Sequence, residues 1–228
     1  MDTYMMAFTW TVVMPVKVLA EAKSRLAIFA GERRPSLALA FASDTVSAVL
    51  RCPEVARVLV VTSDTLAAGS LADLGACVVP DSPDSGLNAA LSFGAAEASG
   101  RWPGGGVAAL TADLPALRPE ELSRALRAAS GFADDGKAVT TFVPDAAGVG
   151  TTMYAVAPPG EFTPRFGGPS RQRHAASGAH ELSLDKIEGL RRDVDTAEDL
   201  RAAVALGTGF RTAALAAELL SRVDDRAS

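Results

Sequence analysis

One stretch near the middle of the chain constrains its fold most strongly: residues 107–117, which read Val-Ala-Ala-Leu-Thr-Ala-Asp-Leu-Pro-Ala-Leu. The uncharged run at its start is typical of a buried strand in the centre of a sheet. Because proline cannot continue a hydrogen-bonded ladder, Pro115 ends the strand and leaves Asp113 at its carboxyl end. In open α/β sheets that end faces the ligand-binding crevice. Asp113 is therefore a candidate functional group, with a helix cap or a turn as the alternative role.

Strand-like and helix-like segments alternate on both sides of this stretch. Apolar, β-rich runs predict strands at 10–16, 57–62, 76–79, 137–143, 153–157 and 191–195. Apolar residues at helical spacing and capping signals predict helices at 36–50, 64–74, 88–99, 118–130, 171–178, 196–206 and 210–220. This alternation predicts an α/β fold with a mostly parallel sheet and helices on both faces. Since no long polar linker interrupts the chain, we expect one domain over 1–228, with a core of about 10–207 and a C-terminal helix of about 210–222.

Composition narrows the class of protein. Of the 228 residues, 48% are hydrophobic and 21% are charged, which is typical of a globular protein and not of a disordered one. The net charge of -5 argues against a nucleic-acid partner. Two cysteines and two histidines show no spacing that indicates a zinc site or a disulfide framework. With no signal peptide at 1–9 and no apolar run of about twenty residues, we expect a cytoplasmic protein without a membrane partner.

Charged groups of both signs are predicted to meet at the carboxyl edge of the sheet. The loop after the first strand carries Lys17, Lys23 and Arg25, and the last predicted strand carries Asp193 and Asp195 on one face. Such acids suit a magnesium ion, and such cations suit the charge that develops on a transferred phosphoryl group. Two alternatives stay open: a solvated basic loop, and a capping role for the acids before the next helix.

Turns rich in small residues, at 86–90, 150–152 and 166–170, are candidate anion sites. Their amides and hydroxyls suit an anion, although turns of this composition are also common without one. The chain has neither the P-loop motif nor the Gly-x-Gly-x-x-Gly fingerprint of dinucleotide-binding proteins. Ser170 lacks the neighbouring pattern of a nucleophile, and we interpret His174 as a solvated helix residue or a phosphate contact, not as a base.

A series of short motifs resembles one enzyme family. The motifs are Val-Met-Pro-Val-Lys at 13–17, Ala-Lys-Ser-Arg-Leu at 22–26, Gly-Leu-Asn at 86–88, Ala-Asp-Leu-Pro at 112–115, Gly-Thr-Thr at 150–152, Phe-Gly-Gly-Pro-Ser at 166–170, Asp-Val-Asp-Thr at 193–196 and Glu-Asp-Leu at 198–200. In order and spacing they resemble the guanylyltransferases of deazaflavin coenzyme F-420 biosynthesis, which use 2-phospho-L-lactate or, in actinobacteria, phosphoenolpyruvate. The resemblance covers nearly the whole chain. It implies a single Rossmann-like nucleotidyltransferase domain, a GT-A-like three-layer sandwich.

The resemblance also implies a metal-assisted transfer of GMP. A phosphate oxygen of the small acid would attack the α-phosphate of GTP, and pyrophosphate would leave. Asp113 would hold Mg²⁺ together with Asp195 or Asp193. The implied catalytic set adds to Asp113 the three cations that would neutralise the triphosphate: Lys17, Lys23 and Arg25.

Two binding sites follow from the resemblance. The residues implied for phosphoenolpyruvate are Thr152, Gly167 and Ser170. The residues implied for the nucleotide are Pro15, Lys17, Gly86 and Asn88. The chain departs from the family's usual Phe-Gly-x-x-Ser followed by Phe and His, because Arg-Gln-Arg precedes His174. We expect phosphoenolpyruvate and not 2-phospho-L-lactate as the acid, since the alanine and arginine bias indicates a high-GC bacterium.

Other interpretations of the same motifs lead to other functions. A related nucleotidyltransferase with a sugar phosphate or molybdopterin acceptor predicts a Gly-x-Ser-x-Arg type of loop after the first strand, which residues 17–25 lack. A catalytically silent nucleotide-binding regulator on the same fold is a second alternative. A homodimer, and a hand-over of the product to the next transferase of the pathway, also remain open.

Overall fold

The fold is built on a seven-stranded sheet. The computed structural model of the protein describes residues 8–82, 84–132, 139–158 and 160–227. The strands in these residues are β1 (Trp10–Pro15), β2 (Val55–Val61), β3 (Cys77–Val79), β4 (Gly106–Leu110), β5 (Thr140–Pro144), β6 (Thr151–Val156) and β7 (His180–Glu181). Their order across the sheet is β3-β2-β1-β4-β6-β5-β7. Strand β6 is antiparallel to its neighbours β4 and β5, and the remaining pairs are parallel.

Helices connect most of the strands and cover both faces of the sheet. Their bounds are α1 (Ala27–Ala30), α2 (Arg34–Leu50), α3 (Thr65–Ala72), α4 (Leu87–Arg101), α5 (Pro119–Gly131), α6 (Ser170–Ala176), α7 (Glu188–Arg191), α8 (Ala197–Leu206) and α9 (Phe210–Ala227). The predicted basic loop after β1 contains α1 and two 3₁₀ turns, Ser24–Leu26 and Gly31–Arg33. In the described part of the chain, no helix has both the length and the apolar character that a bilayer-spanning segment requires.

The connection order reverses direction between β1 and β4. From β1 the chain moves outward through β2 to β3, and α4 then returns it to β4 on the other side of β1. Ligands of open α/β sheets bind at such a reversal, outside the carboxyl ends of the strands. The carboxyl ends of β1 and β4 lie next to each other there, because the two strands are parallel.

The sheet is buried between two layers, as the alternation of β1 shows. Val12 and Met14 point to one face, where they share a core with residues of α2 and α5. Val13 points to the other face, where the core includes residues of α4 and Phe166. A further cluster packs α8 and α9 against α2. The predicted α/β three-layer sandwich with a mostly parallel sheet is confirmed.

The prediction of a last strand at 191–195 was wrong. Helix α7 ends at Arg191, and residues 192–195 have no regular secondary structure. A backbone hydrogen bond from Val194 N–H to Asp113 O (3.1 Å) holds this segment against the end of β4. No ladder extends from it, because the chain turns at Thr196 into the capped helix α8. Asp193 and Asp195 therefore do not share the face of a strand.

Two more differences concern the far edge of the sheet. Strand β7 was not predicted, because two residues are too short for a periodic pattern. The strand predicted at 137–143 begins at Thr140, and Lys137 and Ala138 lie outside the described residues.

Candidate active site

The loop between β1 and α2 carries basic residues over the carboxyl edge of the sheet. Two side chains hold its backbone: Asp64 Oδ2 accepts from Leu19 N–H (2.9 Å), and Arg34 donates to the carbonyl oxygen of Ala20 (2.6 Å). Lys23 then has a φ of 56°, a left-handed conformation that residues other than glycine rarely adopt. The tertiary contacts of the loop thus impose the direction of the Lys23 side chain.

Lys23 is the positive centre of the site. Its ammonium donates to Asp113 Oδ2 and, over 2.8 Å, to Asp195 Oδ1. The side chain is only 12% exposed. Burial acts to lower the pKa of Lys23, but attraction to the two carboxylates outweighs it and raises that pKa above its usual range. Lys23 is therefore a permanent cation on which two acids converge.

Asp113 lies where the sequence predicted it, just beyond the carboxyl end of β4. Leu114 N–H donates to Thr45 Oγ1 on α2 (3.1 Å), which fixes the turn after the strand. Val194 N–H donates to Asp113 O (3.1 Å), which brings Asp195 within reach of the same ammonium. Asp113 Oδ1 is buried and has no hydrogen-bond partner among the described residues. A buried carboxylate oxygen without a partner is costly, so this atom is a candidate ligand for a cation.

Negative charge is concentrated around Asp193. Burial and then the charges of Asp113, Asp145 and Asp195 raise the pKa of Asp193 to about 7. Burial also acts to raise the pKa of Asp195, but attraction to Lys23 outweighs burial and lowers that pKa below its usual value. In the parts of the chain that the structure describes, no three acidic, histidine or cysteine side chains form a ready metal cage. An additional cation would nevertheless relieve the repulsion among these acids.

The other predicted cations form an exposed rim around Lys23. Lys17 is exposed just beyond β1, whose last residue is Pro15. The side chain of Arg25 is 74% exposed, and its guanidinium lies 3.7 Å from Asp195 Oδ2. The site therefore has a half-buried floor of opposite charges and an exposed basic rim toward solvent.

The three residues predicted to bind the acid lie on β6 and on the segment before α6. Thr152 is buried, and its Oγ1 has no hydrogen-bond partner among the described residues. Ser170 is the first residue of α6 and is buried. Gly167 has a φ of 92°, which glycine adopts without strain. The segment can therefore turn sharply at Gly167 before Ser170.

The interpretation of His174 as a solvated residue was wrong, because the side chain is fully buried. Nε2 accepts from Arg165 N–H (2.9 Å), so the proton of the neutral ring lies on Nδ1, 3.0 Å from Thr151 Oγ1. Burial, followed by the charges of Arg165 and Arg173, lowers the pKa of His174 to about 4. His174 thus ties α6 and the preceding segment to β6 as a neutral group.

Asn88 holds the same segment from the other side. Its Nδ2 donates to Phe166 O (3.0 Å), and its Oδ1 accepts from Phe166 N–H (2.8 Å). Gly86 lies exposed at the N-terminus of α4 with a φ of 93°. The nucleotide contacts predicted for Gly86 and Asn88 stay predictions, and both polar atoms of the Asn88 side chain already bond to Phe166.

Sequence reasoning missed the residues that hold the site together. Asp64 was recognised only as part of a helix start, a role it also has as the N-cap of α3. Arg34 was given no role, and Thr45 is one polar residue inside a predicted helix. Thr45 meets its partner Leu114 from 69 positions away, a distance in sequence at which no local pattern can signal the contact.

Several solved structures with a similar fold are named as nucleotidyltransferases or nucleotide-diphospho-sugar transferases. A putative nucleotide-diphospho-sugar transferase from Desulfovibrio desulfuricans matches with a TM-score of 0.66 at 17% identity, with 95% of each chain covered. A nucleotidyl transferase from Methanothermobacter matches with a TM-score of 0.56 at 18% identity, over 88% of this chain and 98% of that one. A Mycobacterium tuberculosis protein solved with manganese matches with a TM-score of 0.51 at 19% identity, over 87% and 99%. At these identities the likeness establishes the fold.

Sequence relatives are closer. The chain is 61% identical to the phosphoenolpyruvate guanylyltransferase of Thermomonospora curvata, over 92% of this chain and 90% of that protein. It is 58% identical to the phosphoenolpyruvate guanylyltransferase of Streptomyces coelicolor, over 92% and 97%. The family model described as "Guanylyl transferase CofC like" matches residues 10–224. The protein therefore belongs to the CofC-like guanylyl transferase family and is a nucleotidyltransferase.

Proposed function

We propose that the protein transfers GMP from GTP to phosphoenolpyruvate, releasing pyrophosphate and forming enolpyruvyl-2-diphospho-5'-guanosine for coenzyme F-420 biosynthesis. The convergence of Asp113 and Asp195 on Lys23, at the carboxyl end of β4, carries the proposal. Opposite charges at this edge suit a metal-assisted attack on a nucleotide phosphate. The names of the relatives at 61% and 58% identity support phosphoenolpyruvate as the acceptor over 2-phospho-L-lactate.

The acidic residues fit a divalent cation, for which we assign Mg²⁺. Asp113 offers a buried Oδ1 without a partner among the described residues, and Asp195 offers a second carboxylate beside it. Asp193 adds a nearby acid whose repulsion from the others a cation would relieve. Mg²⁺ usually takes one or two protein carboxylates and completes its shell with water and substrate phosphates. When bound, the ion would polarise the phosphate oxygens of GTP. A protein of the same fold has been solved with manganese.

The residues of the chain then have separate tasks in the transfer. A phosphate oxygen of the acid forms a bond to the α-phosphorus of GTP, and the bond to the oxygen that bridges the α- and β-phosphates breaks. The bonding electrons leave with pyrophosphate. Its added negative charge is neutralised by Lys17 and Arg25 at the exposed rim and by Lys23 at the floor. No general base is required, because the attacking oxygen is already ionised at neutral pH. The buried, neutral His174 therefore has a structural role and not a catalytic one in this proposal.

The acid lies, in this proposal, against the small groups of β6 and α6. Thr152 supplies a hydroxyl that has no partner among the described residues, and Ser170 supplies a second hydroxyl near the start of a helix. The guanosine part of GTP lies along the carboxyl end of β1 and the start of α4, near Pro15, Lys17 and Gly86. Cys52 and Cys77 are free thiols, which suits a reducing cytoplasm.

The experiment that tests the proposal measures pyrophosphate release. The purified protein is incubated with GTP, Mg²⁺ and either phosphoenolpyruvate or 2-phospho-L-lactate, and ATP replaces GTP as a nucleotide control. We expect rapid release with GTP and phosphoenolpyruvate together, and slow release in the other combinations. Faster release with 2-phospho-L-lactate would reassign the acceptor. GTP binding without pyrophosphate release from any acid would favour the silent regulator.

A further inference from the structure

The hydroxyl of Thr111 is a buried polar group that none of the assigned roles uses. Thr111 follows the last residue of β4 and precedes Asp113 by two positions. Its Oγ1 is inaccessible to solvent and has no hydrogen-bond partner among the described residues. A buried hydroxyl without a partner costs free energy, so its presence beside a candidate active site requires an explanation.

Thr111 stands directly opposite Thr152 in the sheet. Strands β4 and β6 pair in antiparallel register up to Leu110 and Met153, and Thr111 N–H donates to Thr152 O over 3.0 Å. Residues directly opposite each other on antiparallel strands present their side chains on the same face, with Cβ atoms about 5 Å apart. Two hydroxyls without protein partners among the described residues therefore lie side by side.

These two hydroxyls face the segment that was predicted to bind the acid. Side chains alternate along a strand, so Thr111 points to the same face as Ala109, two positions earlier, and Thr152 shares that face because it lies directly opposite Thr111. Ala109 and Tyr154 belong to the core that contains Phe166, the residue before Gly167. The pair thus lies on the Phe166 side of the sheet.

A β-bulge accompanies this arrangement. On the other side of β6, Val143 pairs with Met153 and Pro144 pairs with Thr151, so Thr152 is the extra residue. Bulges often redirect side chains next to active sites. Here the bulge interrupts the ladder at the residue whose hydroxyl lacks a partner.

We propose that Thr111 is a further substrate-binding residue, whose hydroxyl donates to the phosphate of the acid together with that of Thr152. This inference rests on the proposed function and adds one residue to its acid site. The phosphate is the part of the acid that reacts, so it has to reach a nucleotide held at Asp113. Thr111 lies between the two places, opposite Thr152 and two residues before Asp113.

The chain offers a matched control for the loss of such a hydroxyl. Thr141 on β5 is fully buried, and its Oγ1 also lacks a partner among the described residues. It pairs with Ala155, which pairs with Ala108 on β4, three residues before Thr111. A valine at either position removes the hydroxyl and keeps the shape of the side chain, so the two variants are comparable in their effect on folding.

The test compares Thr111→Val, Thr111→Ser and Thr141→Val. We expect Thr111→Val to raise the KM for phosphoenolpyruvate by about tenfold or more, the effect of one hydrogen bond to a charged group, with the KM for GTP nearly unchanged. Thr111→Ser restores most of the affinity for the acid, and Thr141→Val leaves both KM values unchanged. Calorimetric titration with phosphoenolpyruvate is expected to give the same order of affinities.

The outcomes separate this inference from the proposed function. If Thr111→Val binds and uses the acid like Thr141→Val, or raises the KM for both substrates equally, Thr111 is not part of the acid site. If the unmodified protein releases no pyrophosphate, the proposed function fails. Calorimetry then still decides on Thr111: weaker phosphoenolpyruvate binding by Thr111→Val supports the assignment, and unchanged binding overturns it.

Discussion

At Asp113 one carboxylate oxygen accepts from Lys23, and the other is buried without a partner among the described residues. Asp113→Asn keeps the size of the side chain but removes its charge. We expect this variant to lower the rate of pyrophosphate release by at least about 100-fold, because the charge is preorganised for the reaction. The unfolding midpoint should change little, since Asp195 still pairs with Lys23.

The matched control for this prediction is Asp73→Asn. Asp73 is an exposed residue at the end of α3, which runs back from the carboxyl edge of the sheet. We expect unchanged kinetics in this variant. Substantial activity in Asp113→Asn would return Asp113 to the role of a turn residue.

Lys23 and Arg25 lie in the same loop but differ in burial. Lys23 is 12% exposed and bonds to two carboxylates, whereas Arg25 is 74% exposed and lies 3.7 Å from one. We therefore expect Lys23→Gln to lower kcat/KM for GTP by about 100-fold and Arg25→Gln by less than about tenfold, because water screens the exposed charge. Steady-state kinetics checks the ratio, and equal losses would contradict the distinction between floor and rim.

His174 should make the stability of the protein depend on pH. Burial lowers its pKa from the ordinary 6.5 to about 4, so the unfolded chain binds a proton that the folded chain does not between these values. The neutral, buried His174 ring therefore contributes fully to the free energy of unfolding above pH 6.5, and this contribution is lost as the pH falls toward 4. We expect the slope of the unfolding free energy against pH in this window to be shallower in His174→Gln. An unchanged slope would show that His174 titrates alike in the folded and unfolded chains, which would contradict a lowered pKa in the folded protein.

At the scale of elements, Asn88 links α4 to the segment before α6. Both of its polar atoms bond to the backbone of Phe166, next to Gly167. We expect Asn88→Ala to raise the KM for phosphoenolpyruvate more than the KM for GTP, because the segment loses its anchor. Ser92→Ala, at an exposed position of the same helix, is the control and should change neither value. A rise in the KM for GTP alone would instead support the nucleotide contact predicted for Asn88.

Most elements could be predicted because their signals are local. The buried runs of β1, β2 and β4, the helix at 64–74 and the capping signal at Thr196 were all found in the sequence. Segment 191–195 was mistaken for a strand because alternation alone does not show whether a neighbouring strand is available for pairing. Strand β7 is only two residues long, and only its pairing with β5 in the folded protein defines it as a strand.

At the scale of the molecule, the C-terminal helix shares a core with an early helix. Leu219 on α9 and Phe41 on α2 belong to one buried cluster, and α2 also packs on the sheet. We therefore expect a single unfolding transition in calorimetry, with equal calorimetric and van't Hoff enthalpies. Two separated transitions would contradict the prediction of one domain over 1–228.

The sequence by itself determined the α/β class, the position of Asp113 at a strand end and the basic loop after β1, since each depends on residues that are neighbours in the chain. Only the tertiary structure decided that Lys23 lies between Asp113 and Asp195, that His174 is buried, and that Thr111 faces Thr152. These relations join residues from 9 to 172 positions apart. Packing and hydrogen bonds between separate elements fix them, and such contacts leave no periodic pattern along the chain.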